Sequence, residues 1–310
     1  MDICTFSLYL SGYKSAIRQG NEAEGDRRVI MENEVIRETE KFAVEIRMQI
    51  IRQLSKLGFG HAGGCLSVAD VIASLYGGIM DVDPKDPQKK ERDRLVVSKG
   101  HAGPALYAAL ALKGFFPMEW LDTLNRGGTR LPSHCDGNKT PGIDCTTGSL
   151  GQGLSLAAGM AYGLKLDSLS NTVYAILGDG ECQEGQIWEA ALAAPKFGLD
   201  NLICFVDYNK IQLDGAVEEV MPLESLFMKF RSFGWHTQQV NGNDPASIFA
   251  AVELAKKEAG RPSAILLDTV KGYGCSEIAA LGCLSHHMDM PEDLARRCMA
   301  ELEEQMKQYE

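Results

Sequence analysis

The sequence predicts an α/β protein in which a parallel sheet is flanked by helices, and three observations predict it. Short β-rich runs alternate with helical patterns along the chain. The runs are apolar almost throughout instead of at every second residue, as strands covered on both faces must be. The chain, with 310 residues and 45% hydrophobic content, is long enough to bury a large core.

Taken in order, residues 1–30 show no sustained period and end in a charged run at 22–28, so an N-terminal extension is expected, followed by one domain over 31–310. The apolar run at 6–10 follows Asp2 without a basic residue before it, and it is read as a tail, not a leader. From 35 to 57, Phe42, Ile46, Ile50, Leu54 and Leu57 recur at three- and four-residue steps, which predicts one long amphipathic helix ended near Gly58. The clearest strands lie at 95–98, 172–177, 202–208 and 264–270. Helical segments separate them, and an acidic amphipathic helix closes the chain over 291–310.

Composition narrows the function. A net charge of −11 and basic residues scattered singly leave no stripe to neutralise nucleic-acid phosphates, so no nucleic-acid partner is expected. Nine cysteines, odd in number and without a C-x-x-C, argue for reduced thiols and a cytoplasmic protein. The uncharged stretch 145–164 has a spanning length, but its glycines, Gln152, Thr146, Thr147, Ser149 and Ser155 make it too polar, so no membrane association is expected.

The chemistry concentrates in residues 172–215, TVYAILGDGECQEGQIWEAALAAPKFGLDNLICFVDYNKIQLDG. This is a strand, helix, strand unit: Asp179 follows the first strand, a helix covers about 183–197, and Asn209 follows the second strand. The 30-residue separation of Asp179 and Asn209 is what one crossover needs. Both side chains then project beyond the carboxyl edge of the sheet, where open α/β folds bind ligands. A carboxylate, a carboxamide oxygen and a nearby free carbonyl are hard ligands suited to magnesium, which fills its remaining positions with water and phosphate oxygens. Gly178 and Gly180 flank Asp179 and let the backbone approach a phosphate. A magnesium diphosphate site is the expectation; the alternative is a capping Asp and an unrelated turn Asn.

GDG followed about thirty residues later by Asn resembles the signature of thiamine-diphosphate enzymes. The fuller strings GDGExxEGxxWEA and VDYNxxQxDG resemble the amino-terminal subunits of transketolases, and the likeness runs over about 31–291. Gly60-His61-Ala62-Gly63-Gly64, Ser98-Lys99-Gly100-His101, Leu131-Pro132-Ser133-His134, Thr146 to Gly153, and Lys271-Gly272 before His286-His287 follow in the family's order. The resemblance implies a thiamine-diphosphate-binding, diphosphate-side fold. It also implies magnesium (or calcium or manganese) held by Asp179, Asn209 and the main-chain carbonyl of Ile211. Gly178, Gly180, Glu181, His101 and one of His286 or His287 fall on the diphosphate side, with spacing to Pro291 favouring His287. Gly148 meets the aminopyrimidine and Leu150 packs on the cofactor. His61, His101, His134 and His287 surround the reacting carbons, orienting sugar hydroxyls and moving protons. Glu184 matches a family glutamate in the contact between subunits; read alone, it is an acid in a first helical turn. His236 is placed in an exposed turn.

The same resemblance implies transfer of a two-carbon ketol unit between sugar phosphates, with a glutamate and phosphate-holding arginines supplied by a separate C-terminal transketolase subunit in an α2β2 assembly. Two other readings stay open. One is a half-subunit of another thiamine-diphosphate enzyme, either deoxyxylulose-phosphate-synthase-like or 2-oxoacid-decarboxylating. The other is a non-catalytic regulatory paralogue. Two patterns point elsewhere. Gly58, Gly60 and Gly63 satisfy the dinucleotide fingerprint G-x-G-x-x-G but follow a helix, where the fingerprint requires a strand. His134-Cys135 and His286-His287 lack further ligands at zinc spacing.

Overall fold

A computed structural model of the chain describes residues 22–309. The expected extension at 1–30 therefore lies outside the described residues up to 21, and the remainder joins the first helix, which runs Glu22–Leu57. Five strands form the central sheet: β2 (Arg94–Val97), β3 (Val173–Gly178), β4 (Leu202–Tyr208), β5 (His236–Asn241) and β6 (Ser263–Asp268). They are all parallel, in the order β2-β3-β4-β6-β5. A two-residue pair, β1 (Phe59–Gly60) with β7 (Met288–Asp289), runs antiparallel outside the sheet and ties the end of the first helix to the segment after His287.

Why the strand runs are apolar without alternation follows from the two cores. Ile203 and Phe205 of β4, with Tyr174, Ile176, Ile265 and Leu267, face a core closed by the helices Glu22–Leu57, Gly103–Leu112, Pro245–Ala255 and Glu292–Met306. Leu202, Cys204 and Val206, with Val173, Ala175, Leu177, Ala264 and Leu266, face a second core under Gln152–Leu166, Gly185–Lys196 and Leu226–Ser232. Successive residues of one strand point to opposite faces, and both faces are buried. The same alternation sends Asp207 toward the first core, a placement that shapes the site.

One strand of the central sheet is unanticipated by the sequence. His236, expected in a turn, opens β5, where its ring Nδ1 lies 3.2 Å from Ser263 Oγ and its Nε2 lies 3.6 Å from Glu258. β5 pairs only with β6 and is half-exposed, so its sequence HTQQVN carries no apolar run to betray it. Among the described residues, the stretch 62–79 is long and apolar enough to cross a membrane, and 94% of it is buried within the fold. All eight cysteines of the described residues are free thiols.

Packing overrides propensity at Gly153, in the first turn of Gln152–Leu166. A Cβ there would lie 2.3 Å from Ser98 Oγ and 2.8 Å from Ser98 Cα, on the turn that follows β2. Alanine favours a helix interior over glycine by about 1 kcal/mol, whereas overpacking a tight contact costs about 1–3 kcal/mol. Gly153→Ala is therefore expected to lower stability, and a urea unfolding curve with an unchanged or higher midpoint would refute this account.

Candidate active site

Gly178, the last residue of β3, stands in register with Asp207 of β4, so the two turns that follow leave the sheet side by side. The Asp179 carboxylate bridges them: it accepts from the amide of Gly180 at 2.7 Å and from the amide of Lys210 at 2.5 Å. Asn209 sits in the second turn with its orientation set. Its Nδ2 donates to Asp207 Oδ2 at 2.9 Å, which leaves Oδ1 to accept from the amide of Ile211 at 3.0 Å. Asp207 is fully buried and also accepts from Lys99 Nζ at 2.5 Å, from Ser67 Oγ at 2.6 Å and from Thr269 Oγ1. Burial pushes its carboxyl upward, but the Lys99 ammonium and these hydrogen bonds outweigh that and hold it below the usual carboxylate range.

The donor set fits a magnesium ion. Asp179 is only 3% exposed, and burial, with the like charge of Asp207, raises its carboxyl to about 6. Among the described residues no basic side chain forms an ion pair with it. A buried carboxylate whose only close partners are amides is in surplus negative charge, which a cation would relieve. Among the described residues no three His, Cys, Asp or Glu side chains cluster in a metal-ligating group, so the candidate donors are one carboxylate, one amide oxygen and one carbonyl. The carbonyl differs from expectation in one respect, since Ile211 O is not free. Lys271 Nζ donates to it at 2.9 Å, and the same ammonium lies 3.4 Å from Gln212 O and 3.2 Å from His286 Nδ1. Burial and the neighbouring Lys99 charge lower Lys271 to about 8.

Facing this turn is a cluster of imidazoles drawn from four separate segments. The His61 ring is 5.2 Å from His101, 5.9 Å from His134, 5.6 Å from His286 and 4.8 Å from His287, and the His101 and His286 rings are 5.0 Å apart. Both members of the final pair therefore reach the cluster. Burial, assisted by neighbouring imidazoles and lysines, lowers His61 to about 4 and His286 to about 3; it holds His101 well below its usual value and also lowers His134. These four are neutral at pH 7 and can each donate and accept one hydrogen bond.

Other residues singled out from the sequence fall into two groups. Gly148, with φ of 138°, approaches the rings so closely that a Cβ would lie 2.9 Å from His134 Cδ2, and Leu150 beside it is exposed. Glu184 is likewise exposed, at the start of Gly185–Lys196. By contrast, Glu181 is buried, and its carboxylate is taken by the protein: it accepts from Ser98 Oγ, from the Gly151 amide at 2.9 Å and from the Gly178 amide at 3.0 Å. The Glu181 carboxylate is thus a clasp joining three loops. At Gly180 the amide is spent on Asp179, and the glycine is required because a Cβ would meet Gln212 Cβ at 2.9 Å. Lys99 and Lys271 were present in the sequence motifs without a role, His286 stood only as the alternative to His287, and Asp207, Ser67 and Thr269 gave no signal beyond the position of Asp207 two residues before Asn209.

Two measurements test this electrostatic picture. In the chain without ligand, the His61 imidazole is expected to titrate near 4 by NMR, and a midpoint near 6.5 would contradict its burial. Because the unfolded chain takes up that proton near the ordinary value and the folded chain only near 4, this residue makes acidification destabilising across that window. Lys99→Met, which strands the buried Asp207 charge, is expected to cost about 3–5 kcal/mol in a denaturant titration; a loss under about 1 kcal/mol would show that the pair is dispensable.

The comparisons with known proteins agree with this geometry. The family described as transketolase, thiamine diphosphate binding domain, matches residues 38–294. The chain is 55% identical over 260 residues to the 6-deoxy-6-sulfo-D-fructose transketolase subunit SqwG of Clostridium sp. (strain MSTE9), covering 84% of this chain and 94% of that protein. It is 37% identical to an apulose-4-phosphate transketolase subunit of Phocaeicola vulgatus, covering 85% of this chain and 93% of that one. The crystal structure of transketolase from Campylobacter jejuni superposes with a TM-score of 0.77 at 29% identity, over 88% of this chain and 43% of that one. The chain thus spans nearly all of the subunit relatives and under half of that longer enzyme. It belongs to the transketolase family, and within it to the thiamine-diphosphate-binding, amino-terminal half.

Proposed function

We propose that this chain is the cofactor subunit of a split transketolase, which passes a two-carbon ketol unit from a ketose phosphate, or a close anionic analogue, to an aldose acceptor. The observation that carries the reading is the juxtaposition of two half-sites: the Asp179–Asn209–Ile211 turn and the five-histidine cluster, joined through Lys271. Asp179, Asn209 Oδ1 and the Ile211 carbonyl would hold magnesium, and through it a diphosphate; the carbonyl oxygen has a second lone pair that can stay with Lys271. Thiamine diphosphate supplies the nucleophilic carbon and the electron sink for cleavage of a carbon–carbon bond. The imidazoles of His61, His101, His134 and His287 orient the sugar hydroxyls and carry protons to and from the reacting oxygens, the first three held neutral by burial. Gly148 and Leu150 form the wall for the aminopyrimidine.

A second polypeptide provides the base-activating glutamate and the groups that read the far end of the sugar, in an α2β2 assembly with Glu184 at the contact between subunits. Relatives named as subunits, matched over 94% and 93% of their own lengths, support this division. The free thiols support a cytoplasmic setting. The 55% identity to a sulfo-sugar transketolase subunit favours a ketose carrying a sulfonate at C6 as the first donor to assay beside fructose 6-phosphate.

The purified chain alone is expected to show no ketol transfer, and transfer is expected to appear on mixing with its cognate second chain, magnesium and thiamine diphosphate. Robust turnover by the chain alone defeats the split-enzyme reading, and carbon dioxide release from pyruvate without a ketose would point to a decarboxylating system. Asp179→Ala is expected to weaken magnesium-dependent thiamine diphosphate binding about 100-fold in calorimetry while leaving the circular dichroism spectrum unchanged. Unchanged affinity would move the metal elsewhere.

A further inference from the structure

We infer that Asn243, gripped by the buried Arg47–Asp70 ion pair, is a positioning residue that sets Lys271 in the cofactor site. The inference rests on the cofactor reading above and extends it to residues outside the pocket.

Lys271 has a long flexible stem, so the accuracy of its ammonium depends on how firmly the backbone at its root is held. That backbone is pinned on both sides. The amide of Gly272 donates to Gly63 O at 3.1 Å, and the amide of Val270 donates to Asn243 Oδ1 at 2.8 Å. The first anchor joins main chain to main chain, whereas the second is a side chain and therefore open to substitution. Val270 itself is 52% exposed, so its own side chain contributes little to holding the loop.

Which way the Asn243 carboxamide faces is decided elsewhere. Its Nδ2 donates to Asp70 Oδ2 at 2.9 Å, and Asp70 is a buried carboxylate that can only accept. Asp70 is in turn fixed by Arg47 Nη2, with both side chains buried. An amide whose nitrogen is held by a carboxylate must present its oxygen on the other side, where the Val270 amide lies. Arg47 reaches the same loop directly: its guanidinium stacks over the Tyr273 ring at 4.8 Å, and a Cβ on Gly274 would lie 2.6 Å from Arg47 Cδ. The chain of contacts thus runs from the first long helix through Asp70 and Asn243 to the root of Lys271, and ends where Lys271 Nζ meets Ile211 O and His286 Nδ1.

A residue that only stabilises the fold and one that acts through Lys271 are separated by a double-mutant cycle on the assembled two-chain enzyme, read by calorimetric titration of thiamine diphosphate in magnesium and by thermal unfolding. Asn243→Ala is expected to weaken cofactor affinity about tenfold, as loss of a supporting hydrogen bond at such sites does, with little change in the unfolding midpoint. In a Lys271→Gln background, the same substitution is expected to cost less than about twofold, because the residue it positions is gone. Asn243→Ser, too short to span Asp70 and the Val270 amide, is expected to match alanine and serves if the alanine variant unfolds. Equal losses in both backgrounds, or no loss in the first, would overturn the inference while leaving the cofactor reading intact. A wild-type enzyme that fails to bind thiamine diphosphate would sink both.

Discussion

A carboxylate with no exposure to water, Asp207, is the constraint on which the rest of the site depends. Its ionised form would cost several kcal/mol to bury alone, and it is kept charged by the Lys99 ammonium together with Ser67, Thr269 and Asn209 as donors. These partners come from the turn after β2, the segment before Ala69–Ser74, the turn after β6 and the turn after β4. One charge therefore gathers four loops at the carboxyl edge of the sheet into a fixed arrangement. It also sets the orientation of the Asn209 amide, whose Oδ1 is left facing the Ile211 amide.

The site divides into two regions of opposite electrostatic character that need each other. Around Asp179 there is surplus negative charge in a dry setting, and around His61 there is a group of imidazoles from which burial excludes protons. Lys271 lies between them, donating to Ile211 O on one side and within reach of His286 Nδ1 on the other. This arrangement suits a cation and diphosphate at one end while leaving uncharged proton carriers at the other, which is the distribution that carbon–carbon bond chemistry on a sugar requires.

Much of this was legible from short-range pattern. The Asp179 to Asn209 spacing could be read because strand, helix and strand form one continuous unit, and neighbouring parallel strands bring their ends together without help from the rest of the chain. The histidines stood out because they occupy glycine-rich turns instead of helix faces. β5 escaped notice because an edge strand pairs on one side only and tolerates polar residues on both faces. The start of the first helix escaped because its first turns are charged and carry no apolar stripe.

The sequence alone determined most of the elements and the identity of the side chains gathered at the site, since those depend on local periodicity and on residue chemistry. Tertiary structure alone decided how those side chains are spent. The Glu181 carboxylate meets Ser98, 83 residues earlier, and the Gly151 amide, 30 residues earlier; the Ile211 carbonyl, read as free, meets a lysine 60 residues later. A hydrogen-bond donor does not announce its acceptor across such distances, because the pairing is set by which loops the sheet brings to its edge and by the demand that every buried charge find a partner.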